Sequence, residues 1–364
     1  MKNKAVSVYP VKELTNDIVE QWENYISLAR QYGFNEVFTT LHLPELTLNE
    51  QLSSYEVIGS LAAKYEMELI SDIGGKFISM LLDDEELLKR FEVAHCDYIR
   101  LDYGYSFEQV SDLYSKARVK GFMLNASIYH EEEIDRQIAL LKTLEGVKVK
   151  FCHNFYPREE TGMDKQFALM QDGYIRKYDA DLYYYIPSLT CPRGPLHNGL
   201  PSIEYHRKRD ITYVTLDLIN TYHCENVMFA DEFVSEDEFR AFDNVVSAGE
   251  IPIRVTLNDE VFAPYVIKTH AFRYDSNENI LRSASSREMS QFASRVTTYN
   301  TVKRHMGDIT VDNELYKRYS GEVQVVLKEL TEDERVNVVG YVHPDDMDKL
   351  SFYRYGYAYR FQLM

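Results

Sequence analysis

Short apolar runs alternate with amphipathic stretches along the first two-thirds of the chain. Between the runs, apolar residues recur three and four positions apart, as in Ile18, Trp22, Tyr25, Ile26 and Ala29, which is typical of a helix with one buried face. Eight strand–helix alternations predict an α/β fold, a closed (β/α)8 barrel of the TIM type. The runs fall at residues 5–9, 36–41, 67–74, 97–104, 122–127, 147–151, 181–188 and 226–233.

The pattern changes near residue 248. The segments GEIPIRVTL, GEVQVVLKEL and RVNVVGYVH are strand-like, and no long helical stripe separates them. Aromatic residues at every second position from Tyr355 to Phe361 show the period of a half-buried strand. We therefore expect a barrel domain over residues 1–247, followed by a small β-rich domain over residues 248–364.

Composition narrows the classes of function. The chain has 364 residues and a net charge of −18. Proteins that bind nucleic acid need clustered Lys and Arg, so this charge argues against such a partner, whereas a local basic pocket would still admit a small anion. No apolar run approaches the ~18 residues of a membrane span, and no secretory leader is evident. Four widely spaced cysteines predict no disulfide framework, which favours the cytoplasm.

The sequence does not predict a metal site. Cysteine and histidine stand side by side in Cys152-His153 and in two similar pairs. Neighbouring residues on a strand point to opposite faces, so such a pair is a poor chelator of one ion. We expect neither a metal nor another cofactor.

Polar side chains follow the ends of the predicted strands. The carboxyl ends of barrel strands converge on one face, where barrel enzymes keep their chemistry. Any single acid there also fits a helix N-cap, but the set as a whole points to a binding cleft. The residues singled out are Asp72, Asp102, Asn125, His153, Asn154, Tyr156, Arg158, Glu160, Arg193 and Asp231.

The acids in this set predict chemistry on a sugar. Asp102 and Asp231 close the apolar runs YIRLD and VMFAD, where a carboxylate would be partly desolvated. Glycosidases use two carboxylates: one donates a proton to the leaving oxygen, and the other acts as base or nucleophile. We predict Asp102 and Asp231 as catalytic residues, with Glu160 as the third candidate.

Cations and amides in the set predict binding roles. Arg193, Arg158 and His153 are candidates for holding a phosphate or carboxylate. A Pro-stiffened turn with a surface arginine explains Arg193 equally well. We expect Asn154 and Tyr156 to contact sugar hydroxyls.

Three long motifs resemble the bacterial 6-phospho-N-acetylmuramidase family: NFYPREETG, RGPLHNGLPSIEYHR and, near the end, GDITVDNELYKRYSGEVQVVLKEL with RVNVVGYV. The resemblance implies a TIM-type barrel followed by a cyclophilin-like domain. It also implies cytoplasmic hydrolysis of N-acetylmuramic acid 6-phosphate–N-acetylglucosamine during recovery of cell-wall sugars. The family motifs fall on Asn154, Tyr156, Arg158, Glu160, Arg193 and Asp231, and this chain has Glu232 where members often carry proline.

Several alternatives stay open at the level of sequence. The chain could be a non-catalytic phosphosugar-binding or sensor protein, an adhesin-like surface protein, or a prolyl isomerase acting through its second domain. Retaining, inverting and substrate-assisted mechanisms all fit the acids. A homo-oligomer is also possible.

Overall fold

A computed structural model describes residues 1–286 and 296–364 of the chain. Contacts divide it into two compact units, Met1–Ala241 and Phe242–Met364.

The first unit is a closed barrel of parallel strands in sequential order, which confirms the predicted fold class. β1 pairs with β2 on one side and with β8 on the other, where Asn3 lies opposite Asn226, so the sheet has no free edge. The strands are β1 (Asn3–Ser7), β2 (Glu36–Thr40), β3 (Glu68–Ile73), β4 (Tyr98–Leu101), β5 (Gly121–Asn125), β6 (Lys148–Cys152), β7 (Asp181–Ile186) and β8 (Asn226–Phe229).

Helices follow the strands, and most of them begin at a side-chain cap. At the start of α2, the Thr47 hydroxyl accepts from the Glu50 N–H while the Glu50 carboxylate accepts from the Thr47 N–H, a reciprocal capping box. The helices are α1 (Asn16–Gln31), α2 (Leu48–Lys64), α3 (Gly75–Asp83), α4 (Glu85–Val93), α5 (Phe107–Lys116), α6 (Glu131–Leu141), α7 (Lys165–Ile175), α8 (Ile211–Asn220) and α9 (Glu236–Asp243).

The second unit contains a seven-stranded, mostly antiparallel sheet in the order β10-β15-β9-β14-β12-β13-β11, with β15 parallel to β9. Its short helices are α10 (Ala263–Val266) and the 3-10 segments Glu260–Phe262, Glu314–Tyr319 and Pro344–Tyr355. The strands are β9 (Glu250–Leu257), β10 (Thr269–Ala271), β11 (Ile280–Arg282), β12 (Asp308–Asp312), β13 (Val323–Val326), β14 (Val336–Val342) and β15 (Ala358–Leu363).

Alternate residues of each barrel strand point into the barrel. Phe38, Ile70, Met123 and Met228 form part of one buried interior cluster. Because the side-chain period of a strand is two, residues two positions further on face the same way. This rule decides which polar residues at the strand ends reach the mouth of the barrel.

The amino-terminal end of the barrel interior contains a buried ion pair. Lys150 Nζ on β6 lies 2.5 Å from the Glu36 carboxylate on β2 and 3.8 Å from the centre of the Tyr98 ring. Tyr183 donates to the same Glu36 oxygen at 2.9 Å. Burial raises the pKa of Glu36, and the charge of Lys150 opposes this effect.

We expect Lys150→Met to lower the free energy of unfolding of the barrel by about 3–5 kcal/mol, because it leaves the buried Glu36 carboxylate without its cation. Lys150→Met combined with Glu36→Gln should recover most of the loss. Trp22 is the single tryptophan and is buried in the barrel, so its fluorescence during urea unfolding reports on this unit.

The matched control is Lys177→Met. This lysine pairs with Glu131 and Asp135 at the surface, where an ion pair contributes about 0–1 kcal/mol. A loss as small as this in Lys150→Met would contradict the role of the buried pair.

Candidate active site

One polar cluster at the barrel mouth surrounds the guanidinium of Arg100, which faces inward from β4 as Tyr98 does. Its Nη1 donates to Asp72 Oδ1 at 2.6 Å and lies 3.3 Å from Asp102 Oδ1. Its Nη2 donates to Asn154 Oδ1 at 2.7 Å. The Thr40 hydroxyl donates to the other oxygen of Asp72 at 3.1 Å. Three of the predicted strand ends thus meet at one guanidinium, and the end of β2 joins them through the Thr40–Asp72 hydrogen bond.

Two asparagines extend this cluster. Asn125 Nδ2 donates to Asn154 Oδ1 at 2.8 Å, and Asn125 Oδ1 accepts from the Ser127 N–H at 2.9 Å. The Ser127 hydroxyl in turn accepts from the Asn154 N–H at 2.8 Å. Backbone and side chain of Asn154 are therefore both fixed.

His153 does not reach the mouth. It follows β6 with the parity opposite to Asn154, so its fully buried ring lies between the barrel wall and α7. Nδ1 lies 3.1 Å from the Ser127 hydroxyl, and Nε2 lies 3.0 Å from Asp172 Oδ1. Through these contacts His153 supports Ser127 and, behind it, Asn154.

Asp231 holds the loop that follows β7. One oxygen accepts from the Arg193 N–H at 2.8 Å, and the other accepts from the N–H groups of Ser188 at 2.8 Å and Leu200 at 3.2 Å. The side chain is fully buried; burial raises the pKa of Asp231, against the lowering effect of the three amides. Both of its oxygens are thus engaged by backbone groups of one loop.

Glu238 on α9 binds the same loop from another side. Its carboxylate accepts from the Leu189 N–H at 2.8 Å and from the hydroxyls of Ser188 and Thr190. Cys191, whose N–H donates to the Ser188 hydroxyl at 3.0 Å, is the exposed cysteine of the four; the other three are buried. The loop is therefore anchored by two buried carboxylates.

Glu232 is the acid that faces the barrel interior at the end of β8. Met228 and Ala230 both belong to the interior cluster. Glu232 follows Ala230 by two residues, so its side chain faces the same way. Its carboxylate accepts from the Tyr9 N–H at 2.8 Å. Burial raises the pKa of Glu232 to about 7, while the Tyr9 amide and the charge of Arg193 act in the opposite direction. A carboxyl group with this pKa is partly protonated at neutral pH.

Arg193 lies beside this acid. Its guanidinium carbon is 3.6 Å from the centre of the Tyr9 ring, a cation–π contact that fixes the group at the mouth. Among the described residues, no carboxylate lies within 4 Å of the guanidinium nitrogens. Its charge is thus available to an anionic ligand.

The motif loop after β6 is fastened to the loop after β7 by Glu204 and Arg207. Glu204 accepts from the N–H groups of Glu160 at 3.0 Å and Gly162 at 2.7 Å. Arg207 donates to both Glu204 oxygens, at 2.7 and 2.6 Å, and this pairing holds the pKa of Glu204 at about 2. A Cβ at residue 162 would lie 2.6 Å from Glu204 Oε2, so only glycine fits there.

The polar side chains of the β6 loop spread over different environments. Arg158 is exposed, and its carbonyl accepts from Arg207 Nη2 at 3.1 Å. Glu160 is exposed with φ of 66°, and Glu159 pairs with Lys208 at 2.8 Å. Tyr156 is half-buried, and burial raises its pKa. The structure therefore leaves Arg158 and Glu160 free of ion pairs within the described part of the chain.

Tyr185 forms the floor between the two polar groups. Its ring packs edge-on against Phe155 at 5.0 Å and Phe38 at 5.9 Å. Burial raises the pKa of Tyr185, and both Arg100 and Tyr9 are close enough to influence it electrostatically. The Arg100 cluster and the Tyr9–Glu232–Arg193 group therefore stand over one aromatic floor.

Sequence reasoning did not select Arg100, Glu232, Glu204 or Arg207 as site residues. The strand period was the signal that could have found the first two. Arg100 stands two residues before Asp102, and Glu232 stands two residues after Ala230, so each shares a face with a residue of the interior or the mouth. Glu204 and Arg207 act through long-range contacts, which no spacing in the sequence reveals.

Within residues 1–286 and 296–364, no group of three or more His, Cys, Asp or Glu side chains is placed to hold a metal ion. In the same ranges, every helix is too short or too polar to cross a membrane.

The chain resembles solved structures over nearly its full length. One is a conserved protein of unknown function from Enterococcus faecalis, which is 26% identical with a TM-score of 0.80; the match covers 99% of this chain and 96% of that one. Another is an uncharacterized B. cereus protein, which is 23% identical with a TM-score of 0.75; the match covers 99% of both chains. The second likeness shows the fold alone. No curated protein matches the chain significantly.

Sequence profiles of the two parts of one family cover nearly the whole chain. The profile described as 6-phospho-N-acetylmuramidase, N-terminal, matches residues 5–244, and that described as 6-phospho-N-acetylmuramidase, C-terminal, matches residues 251–362. The chain belongs to the 6-phospho-N-acetylmuramidase family, which is named for a glycosidase that acts on a phosphorylated amino sugar.

Proposed function

We propose that the protein hydrolyses the disaccharide N-acetylmuramic acid 6-phosphate–N-acetylglucosamine, as part of the recycling of cell-wall sugars in the cytoplasm. The observation that carries the proposal is the pairing of two unlike carboxyl groups at one barrel mouth. Glu232 has a pKa raised to about 7 by burial, whereas Asp102 is ion-paired with Arg100. A buried acid of this kind can donate a proton, and a carboxylate held beside a guanidinium can serve as its anionic partner.

Glu232 is the general acid of this proposal. Its protonated form donates to the glycosidic oxygen, so that the leaving sugar departs as an alcohol. The Tyr9 N–H fixes the carboxyl group in position. Its proton is restored from solvent after each turnover.

Asp102 is the anionic partner. β4 and β8 stand four strands apart in a ring of eight, so Asp102 and Glu232 approach the mouth from opposite sides. A carboxylate there stabilises the positive charge that develops at the anomeric carbon, which retaining, inverting and substrate-assisted routes all require. Asp72, Asn125 and Asn154 hold Arg100 and one another, and thereby fix the position of Asp102.

Arg193 is the proposed phosphate ligand. Its guanidinium is stacked on Tyr9, lies close enough to Glu232 to lower the pKa of that acid, and forms no ion pair within 4 Å with a carboxylate of the described residues. A planar fork of donors suits a phosphate group. Arg158 on the β6 loop is a second cation for the lactyl carboxylate, and Asn154 and Tyr156 are proposed contacts for sugar hydroxyls.

Asp231 and Glu160 complete the set of predicted acids. Asp231 positions Arg193, because its carboxylate binds the Arg193 N–H and two further amides of the same loop. The catalytic role predicted for Asp231 stays a prediction, as does that of Glu160, whose exposed side chain stands on the loop clamped by Glu204.

We expect kcat/KM for the disaccharide to fall as pH rises through about 7, because the raised pKa of Glu232 means that the acid form is lost there. Glu232→Gln should lower activity by about 100- to 10,000-fold and abolish this limb of the profile. Turnover of the corresponding 6-phospho-N-acetylmuramyl fluoride, whose leaving group needs no proton, should survive.

Glu236→Gln, which alters an exposed carboxylate paired with Arg240 on α9, serves as the matched control. Full activity of Glu232→Gln on the disaccharide would refute its role as acid. Binding of the disaccharide by the unaltered protein without any turnover would instead favour the non-catalytic phosphosugar-binding protein.

Arg193→Met should raise KM for the phosphorylated disaccharide by about 10- to 100-fold, the size of a lost charge-assisted hydrogen bond. The KM for the unphosphorylated disaccharide should not change, because loss of the Arg193 charge affects that substrate only through the pKa of Glu232. Arg136→Met, which removes an exposed arginine paired with Glu133 on α6, provides the control. An equal loss on both substrates would contradict phosphate binding by Arg193.

A further inference from the structure

A pocket of about 590 Å³ adjoins the Arg100 cluster on the side of β2, β3 and β4. Asp102 belongs both to the wall of this pocket and to the Arg100 cluster, so the two lie side by side. The remaining wall comes from the segment after β2, the first turns of α3 and the residue after Asp102. The lining residues that a bound ligand would contact in the proposal below are His42, Pro44, Lys76, Met80, Asp102 and Tyr103.

The pocket contains an exposed aromatic platform. The Tyr103 side chain is 64% exposed, although large aromatic side chains usually bury most of their surface. Its ring stacks on the His42 imidazole, with 5.8 Å between centroids and 9° between planes. One face of Tyr103 is thus backed by a parallel ring, and the other is available to a ligand.

His42 is itself held in place. A Cβ on Gly74 would lie 2.2 Å from its Nε2, so the imidazole occupies space that only glycine leaves open. The Nε2 atom is buried and has no hydrogen-bond partner in the described part of the chain, a destabilising arrangement. An unsatisfied group of this kind in a folded protein points to a functional reason for the position of the ring.

The polar groups of the pocket suit a neutral, acetylated sugar. Lys76 is exposed in the first turn of α3, and none of the described carboxylates lies within ion-pair distance of it. Its ammonium can donate to an amide carbonyl or to hydroxyls. The apolar face of a sugar ring packs against an aromatic ring such as Tyr103, while Pro44 and Met80 supply further apolar wall.

We propose that this pocket is the subsite for the leaving sugar, a neutral N-acetylated hexosamine whose ring stacks on Tyr103. The inference rests on the proposed hydrolysis and adds the direction in which the substrate lies. The phosphorylated sugar extends towards Arg193, the leaving sugar extends towards Tyr103, and the bond between them is cleaved between Glu232 and Asp102.

The test compares two substrates that share the phosphorylated sugar but differ in the leaving group. Tyr103→Ala should lower the ratio of kcat/KM for the disaccharide to kcat/KM for the glycosyl fluoride by about tenfold, because fluoride does not occupy the pocket. Tyr103→Phe, which keeps the ring, should restore the ratio. Thermal unfolding of each variant checks that the fold is intact.

A second measurement does not depend on turnover. Titration of N-acetylglucosamine into the full chain should show binding that Tyr103→Ala weakens by a similar factor and Tyr103→Phe retains. An unchanged ratio together with unchanged binding in Tyr103→Ala would overturn the subsite. If the unaltered protein cleaves neither substrate, the proposed hydrolysis fails, and the titration alone then decides whether the pocket binds this sugar.

Discussion

The site depends on a buried guanidinium. Arg100 points into the barrel and is almost fully buried, an unfavourable position for a charge unless its partners are buried with it. Asp72, Asp102 and Asn154 are those partners, and they come from strands far apart in the sequence. The requirement to satisfy one cation thereby gathers three separate strand ends into a fixed geometry. Without it, two carboxylates this close together would repel each other.

A second set of contacts positions the loops around that cluster. Glu204 and Arg207 bind amides and carbonyls of both the β6 and β7 loops, and Asp231 and Glu238 bind backbone groups of the β7 loop. Most of these acceptors are carboxylates that receive backbone N–H groups, which is how buried loop amides are satisfied away from water. The motif NFYPREETG after β6 is therefore bound to the motif RGPLHNGLPSIEYHR after β7, because Glu204 and Arg207 of the second contact backbone groups of the first.

The fold could be predicted almost entirely from the sequence, because strand and helix periods are local properties. That several polar strand-end residues share the mouth could also be predicted: Asp72, Asp102, Asn125 and Asn154 do meet there. The parity of the strand ends was the missing information. His153 and Asp231 have the parity that points away from the interior, whereas Glu232, one residue after Asp231, points into it. Two adjacent residues on a strand point to opposite faces, so position along the chain alone does not show which of them enters the barrel. The strand period of two does show it once one interior residue is known.

Anchoring of the β7 loop has a practical consequence. The loop carries Cys191, whose thiol is open to solvent while the other three cysteines are buried. A thiol-directed fluorophore or spin label would therefore attach there selectively, two residues from Arg193, with no need to introduce or remove a cysteine. The natural chain thus offers a spectroscopic reporter on the loop that carries Arg193.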